Sequence, residues 1–201
     1  MKSKKYIPIL VLLFVFLFCT ISIYSKNNSF LYFSHLTVDD GLSQSTVFSI
    51  TQDKFGNMWF ATYDGLNCYN GYYFTVYKHN SNDSTTISDN ILRVVYADSR
   101  GEIWVGTHSG LSFYDNENDN FKNYYKIVNG NKAQVNSVLS LSKDTLIIGT
   151  NMGLYFFDIK NEEFSQNNIL LDNSLSVNCL MKNGNLIYIG TDNNVYIYNI
   201  S

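Results

Sequence analysis

Asp98-Ser99-Arg100-Gly101-Glu102-Ile103-Trp104-Val105-Gly106-Thr107, followed by Gly110-Leu111 and then Tyr114, is the stretch that decides the fold. Its first part is a polar turn with a glycine able to take positive φ. Ile103 to Thr107 is then five residues of strand-forming type. A second turn, His108-Ser109-Gly110, leads into another short apolar run. The same pattern stands 45 residues earlier: Asp53-Lys54-Phe55-Gly56-Asn57-Met58-Trp59-Phe60-Ala61-Thr62, then Gly65-Leu66 and Tyr69. Trp59 and Trp104, Thr62 and Thr107, and Gly65 and Gly110 all keep that one offset. A third copy, Leu146-Ile147-Ile148-Gly149-Thr150 with Gly153-Leu154 and Phe157, follows after 43 residues. A fourth, Ile187-Tyr188-Ile189-Gly190-Thr191 with Val195 and Tyr198, follows after 41.

Around these anchors each unit divides into four short strands, named a to d in chain order. In the second unit they are Ile91 to Asp98, Ile103 to Thr107, Leu111 to Tyr114 and Phe121 to Tyr125. In the first they are Val47 to Gln52, Met58 to Thr62, Leu66 to Tyr69 and Tyr73 to Tyr77. No 3.6-residue period appears, so helical repeats of similar length do not fit. A period in the low to middle forties, built of strands, is that of a β-propeller. Strand b is apolar on both faces, as expected of a blade sandwiched between two others. The fold expected is therefore all-β: about four blades of four antiparallel strands, near residues 45–77, 89–125, 134–165 and 175–200. Residues 30–37 are a spare strand before them. Closed propellers zip their last blade with a strand from the other terminus. The fourth unit shows no strand d. Either the front strand completes it and closes a small four-bladed ring, or that strand waits for a later blade and the four units form an open arc with apolar faces exposed at both ends. The open arc is the expectation.

The first 25 residues read differently. Lys2, Lys4 and Lys5 precede an apolar run from Ile7 to Ile23, with Thr20, Ser22 and Ser25 as small residues near its end. This is the outline of a secretory signal, or of a retained anchor over residues 7–24. Positive charge ahead of the run places the remainder of the chain outside the cytoplasm.

Composition excludes more than it assigns. The net charge is -3 and the lysines are scattered, so no basic stripe exists to neutralise a nucleic-acid backbone. Cys68 and Cys179 occupy different positions in their repeats, which favours two buried free thiols over a disulfide. His35, His79 and His108 lack the acidic and Asn-Pro neighbours of a phospho-acceptor helix. Asp115, Glu117 and Asp119 alternate like the start of a calcium loop. Asn120 stands where that loop needs glycine, and Lys126 where it needs a bidentate Glu. A polar turn explains the run better, and a similar one recurs at Asp158 to Glu163. No nucleophile elbow, HExxH or CxxC pair is present, and no cofactor, metal or catalytic residue is expected.

The two closest units resemble the two-component regulator propeller repeat, whose blade runs roughly D-x-x-G-x-[IL]-W-[IV]-G-T-x-x-G-L-x-x-[YF]-D. The opening Phe33-Ser34-His35-Leu36-Thr37-Val38-Asp39-Asp40-Gly41-Leu42-Ser43-Gln44 is similar to the segment that starts such propellers. The third and fourth units lack the Trp and the leading Asp-x-x-Gly, and Asn194 replaces a turn glycine. The resemblance implies the periplasmic sensor of a hybrid two-component regulator, often one that senses polysaccharide. Further blades, a membrane helix and a kinase would lie in segments beyond these four units. An exported binding or scaffold propeller without signalling output is the alternative, and a propeller enzyme the third possibility. Aromatic faces with Asn and Asp side chains suit carbohydrate. In propellers the b–c and d–a loops share the face around the central channel. The candidate ligand residues are therefore Tyr63, Asp64, His108, Asn151 and Asp192, with the loop from Lys78 to Ser88. The structural repeat core is Trp59, Thr62, Gly65, Trp104, Thr107, Gly110, Thr150, Gly153 and Thr191.

Overall fold

The structure is a computed structural model, and it describes residues 33–165 and 175–200. The expected export segment and residues 30–32 of the spare strand lie outside the described residues. Phe33 to Thr37 carry no strand, and a 3-10 turn, Val38–Asp40, follows them. All the blades belong to one compact unit, Leu36–Ser201.

The first blade consists of β1 (Val47–Gln52), β2 (Met58–Thr62), β3 (Gly65–Tyr69) and β4 (Phe74–Tyr77), paired in that order. The second consists of β5 (Leu92–Ala97), β6 (Ile103–Thr107), β7 (Gly110–Asp115) and β8 (Asn120–Tyr124). A two-strand hairpin follows, β9 (Ile127–Val128) with β10 (Asn131–Lys132). The third blade is β11 (Val135–Ser140), β12 (Thr145–Thr150), β13 (Gly153–Asp158) and β14 (Glu163–Ser165). The fourth has three strands among the described residues: β15 (Val177–Asn183), β16 (Leu186–Thr191) and β17 (Val195–Asn199). All pairings are antiparallel.

Each repeated residue type has a visible job. Asp53 and Asp98 close the a–b turns. The Oδ1 of Asp53 accepts the backbone N–H groups of Phe55 and Asn57, and that of Asp98 accepts those of Arg100 and Glu102. Gly56 and Gly101 take φ of 91° and 72° in the same turns. The threonine closes the b–c turn in all four blades. Its hydroxyl donates to the carbonyl three residues on: Thr62 to Gly65 (2.8 Å), Thr107 to Gly110 (3.1 Å), Thr150 to Gly153 (2.8 Å) and Thr191 to Asn194 (2.9 Å). Its oxygen also accepts an N–H from within the turn. Gly65, Gly110 and Gly153 have positive φ, whereas Asn194 does not, and β17 starts one residue later than its counterparts.

Strand b packs blade on blade. Trp59 and Ala61 meet Val95, Ile103, Val105 and Phe121 of the second blade. Trp104 meets Val138, Leu146, Ile148 and Phe157 of the third. Ile147 takes the tryptophan's place there and meets Ile187 and Ile189 of the fourth. The glycine near the end of strand b lets the neighbouring blade approach: a Cβ on Gly106 would lie 2.6 Å from Val135 Cγ1 and from Val94 Cγ1. The innermost strands β1, β5, β11 and β15 pack in succession. Among the described residues β1 and β15 make no comparable contact, so the four blades are an open series.

Strand b is buried on both faces in the second and third blades only. In the first blade the side away from the second exposes Ile50 (55%) and Val76 (38%), beside Phe60 and Phe74. In the fourth the far side exposes Met181 (63%), Val195 (68%) and Ile197 (62%).

One sequence reading changes, that of two buried thiols, and the reading of a polar turn at Asp115 holds. Both cysteines are free, but Cys68 is half-buried and Cys179 exposed, because among the described residues no blade covers that side of β15. The Asp115 to Asn120 loop is a turn. Asp115 accepts the N–H groups of Glu117 and Asn118 and the Asn118 amide, and Asp158 does the same with Lys160 and Asn161. Asp119 and Glu162 carry the positive φ (51° and 57°) of both loops.

Candidate functional site at the channel face

Each strand a begins with a β-bulge. The pairing with strand b shifts between Val47 and Ser49, Leu92 and Val94, Val135 and Ser137, and Val177 and Cys179. A bulge leaves one residue unpaired and re-aims its side chain. Here the unpaired residues are Phe48, Arg93, Asn136 and Asn178, the same position in four successive blades. All four line one cleft of about 420 Å³, together with Gln134, Asn151 and Ser176.

The b–c loop residues stand behind them. Tyr63, His108, Asn151 and Asp192 hold one equivalent loop position. Tyr63 lies beside Phe48, with ring centroids 6.1 Å apart. The His108 N–H donates to the carbonyl of Ile91, two residues before Arg93. The Asn151 side-chain carbonyl accepts the Gln134 N–H at 2.9 Å, and the Gln134 amide donates to Asn136 Oδ1 at 2.5 Å. Asp192 accepts the Asn178 amide at 2.7 Å. Asn136 also donates to the carbonyl of Val177 in the next blade at 3.0 Å, which ties the third blade to the fourth at the cleft.

Four of the five sequence-expected ligand residues thus gather behind the bulges, and Asn151 lines the cleft itself. Asp64 does not join them; it pairs with Lys78 at 2.7 Å. The loop from Lys78 to Ser88 does not line the cleft either. Thr85 accepts the Phe121 N–H, Thr86 accepts the Asn123 amide, and Ser88 is bonded to Thr107 and Ser112. It is a strap across the second blade. Sequence reasoning missed Phe48, Arg93, Asn136 and Asn178. No residue type announced them, since Phe, Arg, Asn and Asn share only a preceding Val or Leu.

The electrostatics are uneven. The Arg93 guanidinium lies 5.3 Å from the Phe48 ring centroid, and its Nε is buried without a hydrogen-bond partner. The His108 Nε2 is likewise buried and unpartnered. Burial, and then the charge of Arg93, hold the His108 imidazole below its ordinary value, with Asp89 pulling the other way. The neutral ring is favoured. Behind Asn178, outside the cleft lining, stands the Asp192 carboxylate. Among the described residues no group of three or more His, Cys, Asp or Glu could hold a metal ion.

The family model for the two-component regulator propeller matches residues 41–64 and 86–109. These segments are the same structural piece twice. Each runs from a buried apolar residue and a serine bonded to the threonine, Ser43 to Thr62 and Ser88 to Thr107, through to the b–c loop. A histidine kinase, P4, of Formosa agariphila is 47% identical over 74 residues, which is 37% of this chain and 5% of that protein. A crystal structure from B. thetaiotaomicron, described as the extracellular domain of a hybrid two component system, superposes with a TM-score of 0.71 at 28% identity. It covers 83% of this chain and 25% of the other. A second such domain from the same organism, at 22% identity and a TM-score of 0.68, covers 78% and 21% and shares the fold. The chain therefore spans a quarter or less of these relatives' lengths. Two of the four repeats thus match the two-component regulator propeller model, and the blades share the fold of extracellular domains of hybrid two-component systems.

Proposed function

We propose that this chain is a ligand-sensing propeller portion of a hybrid two-component regulator, working outside the cytoplasm, and that its ligand is a saccharide bound at the channel-face cleft. The observation that carries this is the bulge register, which turns one residue from each of four blades toward the same space. A blade-packing role does not require that arrangement, since Trp59, Trp104 and Ile147 already hold the blades together. Saccharides need paired donors and acceptors with an aromatic or apolar face beside them. The amides of Gln134, Asn136, Asn151 and Asn178 supply the first, and Phe48 with Tyr63 the second. The extracellular assignment of the relative at 28% identity and the apolar, lysine-led start of the chain support export. Any signalling output would be linkage: ligand shifts a two-state equilibrium elsewhere only by its differential affinity for the two states.

The test is a glycan panel, neutral and charged, offered to the purified protein with thermal shift and calorimetric readouts. Binding by at least one glycan is expected, weakened about tenfold or more by Asn136→Ala or Asn178→Ala. Binding that neither substitution touches would remove the cleft from this role.

A further inference from the structure

We infer that the ligand of the cleft carries an acidic group, a carboxylate on a sugar, and that Arg93 reads it. The inference rests on the saccharide proposal and narrows it.

Arg93 is the one charged residue among the four bulge positions. Placing a guanidinium there costs desolvation, which proteins ordinarily offset with a carboxylate partner. Among the described residues the ion pairs are made by Lys78, Arg100 and Lys122, and none by Arg93. Asp89 makes no ion pair with it either. Its carboxylate accepts the Ser109 hydroxyl at 2.6 Å and the Ile91 N–H at 3.0 Å. What Arg93 has is the face of Phe48, and a buried Nε with nothing to donate to. A guanidinium laid against an aromatic ring keeps its N–H edge free for bidentate recognition of an oxyanion.

The rest of the cleft sets the orientation. The Asp192 carboxylate, behind Asn178 and bonded to it, disfavours a second acid at that end of the cleft. The Gln134 and Asn136 amides between the two ends suit hydroxyls also. A sugar with its acid group toward Arg93 and its hydroxyls toward Asn178 matches this gradient of charge. Nothing in the blade's packing demands arginine here. The equivalent positions hold Phe48, Asn136 and Asn178, so the backbone accepts other side chains.

The test uses uronate trimers (galacturonate, mannuronate and glucuronate), each beside its own methyl ester, with inorganic sulfate alone as a free-anion arm. At least one trimer should bind ten times or more tighter than its ester, with affinity falling as salt is raised. Arg93→Asn, which installs the residue of the next blade, should abolish that preference, and Arg93→Lys should keep part of it. Thermal melts of both variants establish that they fold. Ester and acid binding alike, or an acid preference surviving in Arg93→Asn, overturns the inference. The saccharide proposal then still stands on its neutral glycans. Sulfate binding as tightly as the best trimer also overturns it, because the site would then read a free anion and no sugar. No binding by any trimer overturns it as well, and the neutral panel decides separately whether the broader proposal falls.

Discussion

Trp59 and Trp104 occupy the same position and are equally buried, at 2% exposure, yet their indole N–H groups fare differently. Trp59 Nε1 donates to Asp53 Oδ2 at 2.9 Å, whereas Trp104 Nε1 has no partner, since Asp98 Oδ2 is taken by Arg100. Burial alone would raise the Asp53 carboxyl, but the bonds from Trp59, Asn57 and Phe55 outweigh it and hold it below its ordinary value. Either Trp→Ala should cost about 3–5 kcal/mol. Trp→Phe should separate the two: Trp59→Phe is expected to be costlier than Trp104→Phe by about 1–2 kcal/mol in urea unfolding, because only the first breaks a charge-assisted bond. Gly106→Ala should destabilise by about 1–3 kcal/mol through overpacking against Val94 and Val135. His108 gives a pH signature. Its folded value is depressed, so the unfolded chain takes up the proton first as pH falls. The stability it contributes is fully present above about pH 6.5 and is lost as pH falls through the folded value. Between pH 7.5 and 5 the melting temperature of the protein should therefore drop more than that of His108→Asn, which carries the residue found at Asn151. Equal drops would mean that the imidazole is not desolvated.

At the level of elements, the repeated motifs made most strands legible. β1, β2 and β6 have the bounds read from the sequence, because Trp, Thr and Gly anchor them in fixed register to turns of known chemistry. The ends of β7 and β8 differ by one residue, since strand ends depend on cross-strand bonds that residue types only suggest. The β9–β10 hairpin was not anticipated, although Asn129-Gly130 is a strong hairpin signal; both residues take positive φ, 49° and 79°. It lies between repeats, where a periodic reading does not look. The cleft was half legible for a related reason. Loop positions can be assigned by aligning the repeats, and four of the five expected residues sit beside the bulges. The bulges themselves depend on a register slip that no residue type announces, and so Arg93 passed for an ordinary strand residue. Gly130→Ala should loosen the hairpin by about 1 kcal/mol through its positive φ, visible as faster amide exchange over 127–132 with the blades unchanged.

Across the whole molecule, the same apolar residue type has opposite weight on the two sides of the fourth blade. Ile189 is 1% exposed against the third blade, while Ile197 on the far side is 62% exposed. Ile189→Ala should cost about 2–5 kcal/mol, and Ile197→Ala about 0.5 kcal/mol or less. The exposed faces of the first and fourth blades are patches of the kind that drive association, so Ile50→Lys with Ile197→Lys should reduce self-association in sedimentation without lowering the melting temperature. The central claim is that the four bulges face one ligand cleft. Hydrogen–deuterium exchange, with and without a saturating amount of the tightest-binding glycan of the panel, tests it most directly. Protection is expected around residues 47–49, 92–94, 135–137 and 177–179, together with the loops at 63, 108, 151 and 192. Protection confined to the opposite turns, around 53–57, 98–102, 115–119 and 158–162, would contradict the account.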